Sequence, residues 1–210
     1  MGVVASAALS ACGEHVPSQT PSAQPSQSAA QAKPGTQCFI AVGSPANNDS
    51  QLFAASQAGN VSRIEQSIAA GASINATDNL KRTPLFAAAF CNHPRAIKLL
   101  IDRGREVNAK DFLGMSALEA AVVMGWQEAA QALLARGADI NMRNAAGRTP
   151  LHLAAAADDM AMVELLLGHE ANPRIRDKDG NSAAALAKLN GHDTAAAAIK
   201  KWQEKRSSRK

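Results

Sequence analysis

Tyrosine is absent from the chain, and the other aromatics are few: five Phe and two Trp in 210 residues. Proteins that grip single-stranded nucleic acid stack its bases on aromatic platforms, so this composition speaks against such a role. Strands of sandwiches and barrels favour bulky residues, which this composition does not suit. Alanine carries much of the apolar content instead, which suits helices packed at close range. Charged residues make up 19%, below the usual quarter. No apolar run approaches the ~18 residues of a membrane-spanning helix. There is no phosphate loop with its lysine, no HExxH and no paired CxxC. The five histidines (His15, His93, His152, His169 and His192) form no triad-like spacing with Ser and an acid. The expectation is a non-catalytic protein with no metal site and no cofactor.

Charge of one sign is also localised. Lys200, Lys201, Lys205, Arg206, Arg209 and Lys210 face only Glu204 in the last eleven residues, which leaves the rest of the chain slightly acidic despite a net charge of +4. The basicity therefore reads as a C-terminal tail over 204–210, and nucleic acid is not an expected partner.

Residues 2–11 are uncharged and mostly apolar, and they end at Cys12. Leu9-Ser10-Ala11-Cys12 resembles the bacterial lipobox, in which small residues before a cysteine let a peptidase cut once the thiol has been acylated. The resemblance implies a signal peptide over 1–11 and a lipid anchor on Cys12. It departs from that pattern in lacking a basic n-region. A competing pattern, Met1-Gly2-Val3-Val4-Ala5-Ser6, fits N-myristoylation of a cytosolic chain. Residues 12–47 follow as a linker rich in Ser, Gln, Pro and Ala. Such a composition buries too little apolar surface to offset ordering entropy, so it reads as a flexible tether.

Beyond it a 33-residue period governs the chain. Gly71, Gly104 and Gly137 keep that spacing, as do Asn75, Asn108 and Asn141. Thr83, Ser116, Thr149 and Ser182 form a column, as do Leu52, Leu85, Leu118 and Leu151. Ala55, Ala88, Ala121, Ala154 and Ala187 are the same residue through five copies. Each Thr or Ser can cap a first helix with Pro in its first turn. Gly59, Asn92, Gly125, Asp158 and Gly191 all tolerate a left-handed backbone and would close that helix. Gly71, Gly104 and Gly137 would end the second. Glu170 stands in that glycine column and Arg174 in the asparagine column, which predicts a distorted turn after the fourth copy.

Arg148-Thr149-Pro150-Leu151-His152-Leu153-Ala154 and Leu133-Leu134-Ala135-Arg136-Gly137-Ala138-Asp139-Ile140-Asn141 resemble the two signature stretches of the ankyrin repeat. The resemblance covers 48–203 and implies an all-α solenoid of about five helix-turn-helix repeats with short hairpin tips. It implies a structural, hydrogen-bonding role for His152 between neighbouring turns. It also implies partner docking on the tips and on the exposed side of the first helices. Mapped here, that side carries Leu80, Phe90, Phe112, Leu113, Met115, Val123 and Met124, with Trp126 nearby. An apolar patch of this kind signals a protein partner.

If Cys12 is acylated, Cys38 and Cys91 remain, and an oxidising envelope permits a disulfide between them. The expected function is thus an exported, envelope-located lipoprotein that faces the periplasm and binds a protein through its concave face. Inhibitors of toxins and helpers of envelope enzymes are examples among similar bacterial proteins. Two alternatives remain: a cytosolic or host-delivered adaptor whose first residues are not a leader, and an envelope stress protein acting through the redox chemistry of Cys91.

Overall fold

The computed structural model describes residues 47–104 and 106–208. The expected leader over 1–11, Cys12, the expected linker up to residue 46 and Cys38 lie outside the described residues. Among the described residues ten helices follow one another: α1 (Asn48–Gln57), α2 (Val61–Ala69), α3 (Pro84–Phe90), α4 (Pro94–Gly104), α5 (Ala117–Met124), α6 (Gln127–Leu134), α7 (Pro150–Ala156), α8 (Met160–Gly168), α9 (Ala183–Leu189) and α10 (Asp193–Ser207). They pack as five consecutive pairs. The first helices form one row (α1, α3, α5, α7, α9) and the second helices another (α2, α4, α6, α8, α10), each touching its counterpart one repeat away. This is the expected all-α solenoid.

Local chemistry sets the helix ends. Thr83 and Ser116 cap α3 and α5 by accepting the N–H of Phe86 and Glu119, and Ser182 caps α9 through Ala185. Pro84 and Pro150 occupy first-turn positions, where a missing N–H costs nothing. The closing column is left-handed throughout: Gly59, Asn92, Gly125, Asp158 and Gly191 have φ between 52 and 79°. In the first repeat α1 starts one turn early. Asn47, not Ser50, is its cap, and Ser50 completes a capping box from the third position.

The alanine column is why the rows fit. Ala88, Ala121, Ala154 and Ala187 are wholly buried between helices that larger side chains would hold apart. Leu52, Ile64, Ile97, Leu118, Leu133, Leu151, Met162, Leu166 and Ile199 run through all five pairs as one core. No pair could bury its own apolar face, so the stack is the source of stability.

Two expectations are corrected. The turn after the fourth repeat is not distorted: Glu170 takes the glycine's left-handed conformation (φ 67°). Its N–H reaches Leu167 O and that of Ala171 reaches Leu166 O, as Gly137 and Ala138 do one repeat earlier. Arg174 is tolerated because the asparagines of that column serve the next repeat. Asn108 and Asn141 accept the N–H of Asp139 and Asn172, 31 residues on, whereas the matching position for Arg174 is Lys205, inside α10. Gly104 ends α4 as its column implies, and a Cβ there would come within 3.2 Å of the Ile74 side chain. Of the basic residues assigned to a tail over 204–210, Lys205 and Arg206 lie in the last turn of α10, which runs to Ser207 and buries Ala195, Ala196 and Ile199.

Candidate functional site

The hairpin tips are the most regular non-helical part of the molecule. Each is built on one acidic or amide residue: Asp78, Asp111, Asn144 and Asp177. The Oδ1 of each accepts two backbone N–H groups, two and four residues on, at 2.8 to 3.1 Å. The tips are then bonded to each other. Phe112 N–H donates to Leu80 O, Ala145 N–H to Leu113 O and Lys178 N–H to Ala146 O, at 2.8 to 3.0 Å. This column was not singled out from the sequence, although its 33-residue spacing and constant chemistry were there to find.

A second ladder runs beside it. Lys110 Nζ donates to Arg143 O, and Arg143 Nη2 donates to Arg176 O, each one repeat further on. All three are exposed, and Lys81 and Lys178 lie on the neighbouring tips. The C-terminus is therefore not the only basic cluster. The stack aligns charges that the sequence separates by 33 positions.

Five of the eight apolar candidates stay at the surface, in two sets at opposite ends of α5. Leu80, Phe112 and Leu113 stand on the tips at 49, 71 and 59% exposure. Val123 is exposed at the far end of α5, with Met124 half-buried beside it. The other three are committed to the stack. Phe90 lies parallel to Phe86, ring centroids 6.4 Å apart, and both Phe90 and Met115 pack against Phe53, Phe86, Ala87 and Ala120. Trp126 packs against the core and donates its indole N–H to Phe90 O.

Two buried ionisable groups occupy equivalent places in successive repeats. His152 is buried. Its Nδ1 accepts from Thr149, and its Nε2 donates to Asn181 O in the next repeat at 3.1 Å. Burial lowers its pKa, against the pull of the Asn181 carbonyl, so it serves as a neutral hinge-pin between turns. One repeat earlier stands Glu119, fully buried. Its Oε2 accepts Ser116 N–H at 2.8 Å, and its Oε1 has no partner. Burial pushes its pKa up to about 7, against the hydrogen bonds from Ser116 and the charge of Lys110. Both lie beneath helix starts rather than in a cleft, which is the place of a structural group.

Cys91, the C-cap of α3, is disulfide-bonded, and its partner lies outside the described residues. The free thiol that a redox role for Cys91 requires is thus not what the structure holds. At the other end of the stack, a groove of about 360 Å³ lies between the fourth-repeat turn and α10. Arg206 crosses it, over the Trp202 ring at 5.1 Å and paired with Glu170 at 3.1 Å. Among the described residues no His, Cys, Asp and Glu cluster could hold a metal ion, and no helix is long and apolar enough to cross a membrane.

Two family models match the chain. One describes ankyrin repeats in three copies and covers residues 52–144; the other describes ankyrin repeats in many copies and covers 128–187. No curated protein matches it.

Proposed function

This chain belongs to the ankyrin-repeat family, and we propose that its hairpin tips capture a protein partner whose docking segment is apolar and acidic. Repeats of this kind generally mediate protein–protein interaction and are typically non-catalytic. The observation that carries the finer reading is the tip ladder. Leu80, Phe112 and Leu113 are exposed on a backbone bonded repeat to repeat. Such a surface loses little entropy on binding. Lys81 adjoins Leu80, Lys110 lies just before the tip of Phe112 and Leu113, and Lys178 stands further along the ladder, so acidic groups on the partner would be steered to them.

The setting we propose is the bacterial envelope, with acylated Cys12 as the anchor and residues 13–46 as the tether. Leu9-Ser10-Ala11-Cys12 supports this, and so does a bonded Cys91, since disulfides persist in oxidising compartments. A toxin or an envelope enzyme would be a partner of the right location.

Two experiments test the reading. Intact mass of protein purified from its own cells should begin at Cys12 with added acyl chains. Retention of residues 1–11, with myristate on Gly2, would replace the envelope reading with a cytosolic adaptor. Separately, Phe112→Asp with Leu113→Asp should abolish co-purification of the partner while leaving the far-UV spectrum unchanged. Undiminished co-purification would move the site off the tips.

A further inference from the structure

We infer that the groove between the fourth-repeat turn and α10 is a binding site for an organic carboxylate that carries one apolar side chain, with Arg174 as the cation that receives it. The inference is independent of tip capture and of the envelope setting. Two departures from the 33-residue pattern meet at this groove. Glu170 stands in the glycine column and Arg174 in the asparagine column, and both line the groove together with Trp202 and Arg206. Glu170 holds a left-handed backbone, φ 67°, where glycine would be unstrained. Strain of this kind is retained where the side chain has a use. Part of that use is visible, since Glu170 pairs with Arg206 at 3.1 Å. Arg174 has no such service. Asn108 and Asn141 each accept a backbone N–H of the following repeat, and a guanidinium cannot accept. The Arg174 side chain is exposed, and among the described residues it makes no hydrogen bond or ion pair.

The chemistry of the lining selects the ligand. Two guanidinium groups, Arg174 and Arg206, stand against one carboxylate, Glu170, which leaves one positive charge in surplus. A monoanion matches that surplus, whereas the second charge of a phosphate monoester would meet Glu170. The planar fork of an arginine fits the two oxygens of a carboxylate. Asn172 adds a donor: its Oδ1 is spent on the N–H of Arg174 at 3.0 Å, which leaves its amide N–H groups for a ligand. The rest of the lining is apolar. Ala171 and Pro173 are buried, and Trp202 is half-buried against the core beneath Arg206. Gln203 ties α10 to this wall through Pro173 O at 3.4 Å, so the groove is held open on both sides by the fold. Its volume of about 360 Å³ suits about a dozen non-hydrogen atoms at roughly 30 Å³ each. That is the size of one terminal amino-acid residue with its carboxylate, or of a free acid of similar bulk.

The test titrates N-acetyl-L-leucine into the full chain labelled with nitrogen-15. The indole N–H signals of Trp126 and Trp202 are told apart with Trp126→Phe. The Trp202 signal should move saturably at about millimolar concentration, as expected for so small a ligand, while that of Trp126 stays in place. N-acetyl-L-leucinamide, which lacks the charge, should bind about tenfold more weakly or worse. Arg174→Asn restores the residue of the column and should cause a similar loss with an unchanged Tm. If that variant melts lower, Arg174→Gln takes its place in the comparison. Acetyl-Ala-Ala-Leu separates the two sources of a carboxylate. Tighter binding than N-acetyl-L-leucine identifies a peptide C-terminus, and equal binding identifies a small free acid. The site is overturned if Trp202 shows no saturable shift up to about 50 mM, if the amide binds as well as the acid, or if Arg174→Asn and Arg174→Gln bind as the parent does. Tighter binding of inorganic phosphate than of N-acetyl-L-leucine would overturn the carboxylate assignment.

Discussion

The indole N–H of Trp126 donates to the backbone carbonyl of Phe90 at 2.9 Å, one repeat back. His93 makes the equivalent contact one repeat earlier, its Nε2 meeting Gln57 O at 2.8 Å. The two rings share one position of the 33-residue period. Each bridges the end of a first helix to the start of the next repeat's second helix. They act as clamps between repeats, and the carbonyls they reach are ones that a helix end leaves without an intrahelical partner.

Trp126→Phe keeps an aromatic ring, gives up part of the indole's volume and removes the donor. It should lower stability by about 1 kcal/mol, the usual net worth of such a bond. Urea denaturation reads the change. An unaltered midpoint would mean that Phe90 O is equally well served by water.

Glu119 should make the protein weaker as pH rises. Its pKa is about 7 when folded against an ordinary 4.5, so the folded state holds the proton more tightly than the unfolded chain. That contribution is complete below pH 4.5 and is lost as pH climbs through 7. Glu119→Gln cannot ionise and keeps the shape. Relative to the parent, it should gain about 1–3 kcal/mol between pH 5 and pH 8. Urea midpoints of both proteins at the two pH values test this, and a constant gap would show that Glu119 ionises without cost.

Lys81 and Glu170 hold left-handed backbone (φ 58 and 67°) where other repeats place glycine. Lys81→Gly and Glu170→Gly should each stabilise by about 1 kcal/mol, since a Cβ is strained there. The second gives up an exposed pair with Arg206, which contributes little. Thermal melts that fall on either substitution would show that the side chain matters more than the strain.

Leu133→Ala, in the wholly buried core of α6, should cost about 2–5 kcal/mol through lost burial and the cavity left behind. Phe112→Asp, at 71% exposure, should shift stability by no more than about 0.5 kcal/mol. Melting both variants side by side checks that the tip is a surface and not a support. A large loss from Phe112→Asp would reverse that assignment.

The architecture was legible in the sequence because each repeat meets only its neighbours. A residue's environment therefore recurs every 33 positions, and the same physical demand selects the same residue type. Ala88 and Ala121 must be small, Thr83 and Ser116 must cap, and Asn92 and Gly125 must turn left-handed. The tip column of Asp78, Asp111, Asn144 and Asp177 obeys the same logic and was equally readable.

What tertiary structure alone decided is which apolar side chains remain outside. Phe90, Met115 and Trp126 look like surface residues when counted along a helix, but stacking folds them against Phe86, Phe53 and the core. Exposure is a property of both neighbours at once, and a period within one strand of sequence does not carry it. The fate of Glu170 is of the same kind. The local rule predicted a broken turn, yet the hydrogen bonds of Leu166 and Leu167 and the packing of α10 hold Glu170 in a conformation it would not choose by itself. The row of Lys110, Arg143 and Arg176 also exists only in the stack, which brings side by side charges that the chain keeps far apart.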